Sequence, residues 1–119
     1  MATVLLLEDN ADVREMMATA LKLAGHTVVP AADGSEALRL LKDGLRPRLI
    51  LLDLMMPVMD GWAFRAALEQ DPALTRIPVV VVSAVGDDML EKVRAAAHVP
   101  KPIDIDHLLE IVGANSHSN

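Results

Sequence analysis

Cysteine is absent from this sequence of 119 residues. Without thiols the chain can form neither a disulfide framework nor a thiolate metal site, and this composition fits a reducing cytoplasm, where we expect the protein to act. Basic residues are also in the minority, because 11 lysines and arginines stand against 17 aspartates and glutamates, which gives a formal net charge of −6. Direct binding of nucleic acid needs a clustered basic face, so the charge argues against a nucleic-acid partner.

Long apolar runs are missing as well. No run approaches the roughly 20 residues that a membrane-spanning helix needs, so we expect no membrane partner. The first residues carry no basic stretch and reach an acid at Glu8, which argues against a signal peptide. With 52% apolar residues, the sequence predicts one packed domain over 1–119, with its core over about 3–112 and a polar tail over 113–119.

A short apolar run, Leu49–Leu52, leads directly into Asp53, and Pro57 follows four positions later. An unbroken apolar run of this length is typical of a strand that is buried on both faces in a parallel sheet. A carboxylate at the end of such a strand is costly to bury unless another group pairs with it. The sequence should therefore supply a partner for Asp53.

Strands and helices are predicted to alternate along the whole chain. The other predicted strands are Val4–Leu7, Thr27–Ala31, Val79–Val82 and His98–Pro100. The predicted helices run from a cap at Asn10 to Gly25, from a cap at Asp33 to Gly44, and over Trp62–Gln70, Asp87–Ala97 and Asp104–Val112. This alternation indicates an α/β fold, in which a parallel sheet of five strands carries helices on both faces.

Polar residues stand at the carboxyl ends of four predicted strands, where such sheets bind their ligands. Glu8 and Asp9 follow the first strand, Asp53 the third, Ser83 the fourth and Lys101 the fifth. Three converging carboxylates repel one another and raise one another's pKa values unless a hard divalent cation such as Mg²⁺ joins them. No histidine or cysteine adjoins these acids in the sequence, which argues against zinc.

Asp53 has a further chemical possibility at such a site. A carboxylate held against a divalent cation can attack phosphorus and form an aspartyl phosphate. The phosphoryl oxygens then need donors, and Ser83 can supply a hydroxyl and Lys101 an ammonium group.

Four motifs stand in order at predicted strand ends, and they are Glu8-Asp9, Asp53–Pro57 with Met59–Gly61, Ser83-Ala84 and Lys101-Pro102. Each motif alone is common, but in this order and approximate spacing they resemble the receiver domains of two-component response regulators. The resemblance covers the chain from about Thr3 to Val112. It implies a doubly wound, flavodoxin-like fold with strand order 2-1-3-4-5, the order of the chemotaxis receivers.

The resemblance also implies roles for single residues. Asp53 matches the phosphoacceptor, and Glu8 and Asp9 match the acids that bind Mg²⁺ (or Mn²⁺) together with Asp53 and the backbone carbonyl of Met55. Ser83 matches the switch hydroxyl. Lys101 matches the lysine that contacts the phosphate, and its bond to the following proline is cis in that family.

The chain departs from the family's pattern on its output side. Three residues before the lysine, family members usually carry a tyrosine or phenylalanine that rotates on switching; here the residue is His98, and the chain has no tyrosine. His98 is either a half-buried spacer or a pH-sensitive switch residue. The interval from Ser83 to His98 is about one helical turn shorter than is usual in the family. In the family, the residues two positions after the phosphoacceptor and two after the switch hydroxyl line the path of the hydrolytic water. Here they are Met55 and Val85, and because both are apolar, the resemblance implies slow self-dephosphorylation.

The function that the resemblance implies is a signalling switch rather than an enzyme. A sensor histidine kinase or a histidine phosphotransfer protein would pass a phosphoryl group to Asp53, and the added charge would alter a surface that binds a downstream protein effector. Two alternatives are an unphosphorylated receiver-like binding module and a small magnesium-dependent phosphatase. Degenerate receivers usually lack an acid or the lysine, whereas this chain keeps all of them. The phosphatases generally need an acid two residues after the nucleophile, where this chain has Met55. The chain is either a stand-alone receiver or part of a longer protein.

Overall fold

The computed structural model describes residues 2–53, 61–83 and 95–115, and strands and helices alternate within them. The strands are β1 (Thr3–Leu7), β2 (Thr27–Ala31), β3 (Leu49–Leu52), β4 (Val79–Ser83) and β5 (Ala97–Pro100). The helices are α1 (Ala11–Leu23), α2 (Gly34–Lys42), α3 (Gly61–Leu68) and α4 (Ile105–Asn115). All five predicted strands are confirmed, as are the four predicted helices that fall within the described residues.

The five strands form one parallel sheet in the order β2-β1-β3-β4-β5, as predicted. In the register of the sheet, Leu52 of β3 lies beside Leu7 of β1 on one side and Val81 of β4 on the other. The carboxyl ends of the central strands therefore lie at nearly the same level, and the residues that follow them meet at one edge of the sheet.

Two apolar layers enclose this sheet, because side chains of a strand point alternately to its two faces. One face, with Leu5, Leu7, Ile50, Leu52, Val79 and Val81, packs against α2, α3 and the segment before β4 through Ala37, Leu38, Leu41, Phe64, Leu68, Leu74 and Ile77. The other face, with Val4, Leu6, Leu49, Leu51, Val80 and Val82, packs against α1 and α4 through Met17, Leu21, Leu108 and Val112. The central strands are buried on both faces, which explains why they read as unbroken apolar runs.

Two polar caps start helices at the carboxyl edge of the sheet. The Asn10 side chain accepts a hydrogen bond from the Val13 backbone N–H at 3.0 Å, and Asp33 accepts one from Glu36 N–H at 2.8 Å. Both caps are as predicted, and they satisfy amides that the first turn of a helix leaves without a partner. Within the described ranges, no helix is both long enough and apolar enough to cross a membrane.

Several helix boundaries differ from the prediction, and α3, for example, ends at Leu68 rather than at Gln70. The predicted helix over Asp87–Ala97 lies outside the described residues as far as position 94, and its predicted end is wrong because Ala97 is the first residue of β5. The last helix continues to Asn115 rather than ending at Val112. Asn115 donates a side-chain hydrogen bond to the Ile111 carbonyl at 2.8 Å, which satisfies a carbonyl in the last turn.

Candidate functional site

The backbone pairing of the central strands continues one residue past their ends and carries two acids with it. The Glu8 backbone N–H donates to the Ala31 carbonyl at 3.2 Å, and the Asp53 N–H donates to the Leu7 carbonyl at 3.1 Å. Both acids are thus fixed by main-chain hydrogen bonds at the same edge of the sheet, although 45 positions separate them in the sequence.

Three carboxylates meet at this edge. Glu8, Asp9 and Asp53 each offer an oxygen atom, and these three atoms lie within 4.8 Å of one another. Glu8 is 1% exposed and Asp53 is 4% exposed, whereas Asp9 is exposed to solvent. The sequence predicted this grouping, and the structure brings all three residues together. An all-oxygen set of anionic ligands is the kind that Mg²⁺ prefers, and the exposed side leaves room for waters.

Lys101 reaches the same cluster from the end of β5, across β4. Its Nζ atom lies 3.1 Å from Glu8 Oε1 and 3.4 Å from Asp53 Oδ2. Burial disfavours the charge on Lys101, but the two carboxylates outweigh it and raise the pKa of the ammonium group above its usual value. The peptide bond between Lys101 and Pro102 is cis, as the resemblance predicted.

The Glu8 carboxylate is held with one oxygen directed at the cluster. Oε2 accepts a hydrogen bond from the Asn10 backbone N–H at 3.2 Å. Oε1 is buried and lies 3.1 Å from Lys101 Nζ, its ion-pair partner. Burial, reinforced by the charge of Asp53, raises the pKa of Glu8, although Lys101 and the Asn10 N–H act in the opposite direction. A buried oxygen of this kind is a fitting ligand for a cation.

Arg14 hydrogen-bonds the turn that carries two of the acids, and the sequence did not predict this contact. It lies in α1, and its Nη1 atom donates to the Glu8 carbonyl at 2.7 Å and to the Asp9 carbonyl at 3.4 Å. In the sequence, Arg14 looks like any cation on the polar side of a helix. Its position five residues after the acidic pair is the one signal that could have drawn attention to it.

The structure describes some of the remaining predicted site residues and not others. Ser83 is the last residue of β4 and pairs with Pro100, so its backbone lies at the edge where Lys101 follows β5. His98 is half-buried and pairs with Val81, about 7 Å below that edge, on the face covered by α2 and α3. Met55 and Val85 lie outside the described residues, so the predicted carbonyl ligand and the slow hydrolysis stay predictions.

Comparison with known sequences agrees with this geometry. The profile of the response regulator receiver domain matches residues 4–113. The DNA-binding dual master transcriptional regulator RpaA of Synechocystis sp. is 31% identical over 118 residues, which cover 96% of this chain and 48% of that protein. The chain spans between 32% and 48% of the length of the first curated relatives that it matches.

Known structures show the same fold. The chemotaxis protein CheY4 of Vibrio cholerae superposes with a TM-score of 0.89 at 29% identity, covering 97% of this chain and 98% of that one. The receiver domain of the sensor histidine kinase PA1611 from Pseudomonas aeruginosa, solved with a magnesium ion coordinated in its active-site cleft, gives 0.86 at 25% identity and covers 98% of both chains.

Proposed function

Because the chain belongs to the response regulator receiver family, we propose that Asp53 accepts a phosphoryl group from a sensor histidine kinase or a histidine phosphotransfer protein. Members of this family are switches in phosphorelay signalling rather than conventional enzymes. The observation that carries the proposal is the meeting of Glu8, Asp9 and Asp53 within 4.8 Å at the edge that Lys101 also reaches.

Glu8, Asp9 and Asp53, with the backbone carbonyl of Met55, would hold Mg²⁺ or Mn²⁺. A bound magnesium ion supplies charge neutralisation for the carboxylates and the incoming phosphoryl group. Glu8 and Asp53 are already held in place without the ion, because both residues are buried and hydrogen-bonded through their main chains. The donor set contains no soft ligand, which fits a hard cation.

Phosphoryl transfer at this site needs little rearrangement of the carboxylate edge. An oxygen of Asp53 forms a bond to phosphorus while the bond between phosphorus and the donor's imidazole nitrogen breaks, and that nitrogen keeps the electron pair. Lys101, already 3.4 Å from Asp53 Oδ2, moves its hydrogen bond from the carboxylate to a phosphoryl oxygen. Ser83 supplies a hydroxyl donor from the end of β4.

The consequence of phosphorylation is a change in a surface that a downstream protein effector recognises. The acyl phosphate places additional negative charge beside Lys101 and Ser83, and these residues then bias the switch between two conformations. His98 lies on the next strand and is the candidate to carry that change outward. We place this event in the cytoplasm, where the donor's phosphohistidine is made.

The test is phosphorylation by acetyl phosphate with and without magnesium, followed by intact mass spectrometry. We expect the wild type to gain one phosphoryl group only with Mg²⁺, and Asp53→Asn to gain none. Asp33→Asn is the matched control, because Asp33 is a strand-end acid at the same edge and asparagine caps a helix as well as aspartate does.

Each alternative predicts a different result. A phosphatase would release inorganic phosphate with repeated turnover and no accumulating adduct. A binding module would take up no phosphoryl group at all. Labelling that persists in Asp53→Asn would contradict the assignment of the acceptor.

A further inference from the structure

We propose that Arg14 is a positioning residue of the magnesium site, because its guanidinium group fixes the Glu8-Asp9 turn so that both carboxylates face Asp53. The proposal rests on the function proposed above for Asp53. It concerns the assembly of the metal site and assigns Arg14 no contact with the metal or the phosphoryl group.

Arg14 donates hydrogen bonds to three consecutive main-chain carbonyls in the turn between β1 and α1. Its Nη1 atom donates to the Glu8 carbonyl at 2.7 Å and, more weakly, to the Asp9 carbonyl at 3.4 Å. Its backbone N–H donates to the Asn10 carbonyl at 2.9 Å, which is the first hydrogen bond of α1. The side chain thus ties the acid-bearing turn to the helix that follows it.

These hydrogen bonds set the direction of the two carboxylates. In Glu8 the main-chain carbonyl is held by Arg14, while the carboxylate is held by the Asn10 N–H. Asp9 is exposed, so packing does not fix its side chain, and its carboxylate depends on the orientation of the peptide that joins it to Glu8. Loss of the donor to the Glu8 carbonyl lets this peptide rotate, and rotation moves Asp9 away from the other two acids.

The sign of the effect separates positioning from simple electrostatics. A guanidinium group near a cation site repels the cation, so on charge alone the removal of Arg14 would strengthen magnesium binding. If Arg14 positions the acids, its removal weakens magnesium binding even though a positive charge has gone. The two accounts therefore predict opposite changes in the dissociation constant for Mg²⁺.

The experiment is calorimetric titration of Mg²⁺ into the wild type, Arg14→Met, Arg14→Lys and Lys22→Met. We expect Arg14→Met to bind Mg²⁺ about tenfold more weakly than the wild type. This is the lower end of the loss in metal affinity that follows the replacement of residues that orient metal ligands. Arg14→Lys keeps the charge but has a shorter reach and no planar fork, so its binding should also be weaker. Lys22→Met removes the same charge from the far end of α1 and should stay within about twofold of the wild type.

A second readout uses phosphorylation by acetyl phosphate at increasing magnesium concentration. For Arg14→Met we expect the half-maximal concentration of Mg²⁺ to rise about tenfold. The rate at saturating Mg²⁺ should equal that of the wild type, since Asp53 and Lys101 are unchanged. A general loss of structure would lower the saturating rate instead.

Equal or tighter binding of Mg²⁺ by Arg14→Met would overturn the positioning role. If Arg14→Met does not fold, Arg14→Lys decides the question, and wild-type affinity in that variant overturns the proposal. A wild type that binds no Mg²⁺ would overturn the function proposed for Asp53 as well, whereas a wild type that binds it and an Arg14→Met variant that matches it would overturn only the role of Arg14.

Discussion

Lys101 is a single residue with two anionic neighbours, Glu8 at 3.1 Å and Asp53 at 3.4 Å. Taken singly, Lys101 could have been a surface lysine paired with Asp104, although its place before Pro102 favours the site. In the structure Asp104 instead accepts a hydrogen bond from the His107 N–H at the start of α4, at 3.3 Å. Lys101 therefore acts as an internal cation of the acidic cluster.

The replacement Lys101→Met keeps the apolar stem of the side chain and removes its charge. In magnesium-free buffer at neutral pH we expect the free energy of unfolding to fall by about 1–3 kcal/mol, because the buried Glu8 carboxylate loses its cation. Added Mg²⁺ should stabilise this variant more than the wild type, since the ion restores the missing charge. Urea denaturation measures both effects.

Lys42→Met is the control for that measurement, because Lys42 is an exposed lysine in the last turn of α2. Its urea midpoint should respond to Mg²⁺ as the wild type does. An unchanged midpoint for Lys101→Met without Mg²⁺ would contradict the role of Lys101 as the partner of Glu8.

Glu8 should give the stability of the metal-free protein a characteristic pH dependence. Burial raises the pKa of Glu8 above its ordinary value of 4.5, so the folded protein holds this proton more tightly than the unfolded chain does. The stability gained from that proton is fully present below the ordinary value and is lost as the pH rises through the raised pKa.

Glu8→Gln removes this titration and isolates its contribution. The free energy of unfolding of the wild type, minus that of Glu8→Gln, should fall with rising pH above 4.5 in magnesium-free buffer. Saturating Mg²⁺ should reduce the fall, because the cation competes with the proton for the carboxylate. A difference that rises with pH would show that the pKa of Glu8 is lowered instead.

At the residue scale, the sequence identified the acids and the lysine because charged groups at the ends of apolar runs are conspicuous. It did not identify Arg14, because the contact is made to main-chain carbonyls and needs the geometry of the turn. The position of His98, half-buried on the face of α2 and α3, likewise required the register of β4 and β5.

At the scale of elements, the central strands β1, β3 and β4 were predictable because burial on both faces makes each of them a continuous apolar segment. Helix ends were less predictable where tertiary packing outweighs local preference. Gly113 looked like the start of a tail, yet α4 continues through it because Val112 is buried against the sheet. Ala97 fitted the apolar spacing of a helix, but its pairing with Val80 places it in β5.

The edge strands show how local chemistry fits the topology. β2 and β5 lie at the two edges of the sheet, and they contain Pro30 and Pro100. Proline has no N–H to donate to a neighbouring strand, so it is tolerated at the edges of a sheet and discourages pairing with a further strand.

The cap of α2 is a test at the scale of a single element. Asp33→Ala removes the acceptor of the Glu36 N–H, and we expect the free energy of unfolding to fall by about 1 kcal/mol. Asp33→Asn should be nearly neutral, since asparagine is an equivalent cap. Chemical denaturation measures the stability of both variants, and calorimetry should find their affinity for Mg²⁺ unchanged. Equal stability of Asp33→Ala and the wild type would contradict the capping role.

At the scale of the whole molecule, the position of the site follows from the connectivity. The chain passes from β1 outward to β2 and then returns across β1 to β3, so its direction of winding reverses between β1 and β3. In doubly wound sheets a crevice opens at such a reversal, beyond the carboxyl ends of the strands. Glu8 and Asp53 lie on the two sides of this crevice, and Lys101, which follows β5, contacts both of them.

The central claim is that Asp53 receives the phosphoryl group, and direct chemical mapping tests it best. After phosphorylation with Mg²⁺, reduction with borohydride converts an aspartyl phosphate to homoserine, which peptide mass spectrometry can assign to one position. We predict homoserine at position 53 of the wild type and none in a sample prepared without Mg²⁺. Homoserine at position 9, or a phosphoryl group that resists borohydride on a serine or histidine, would contradict the account.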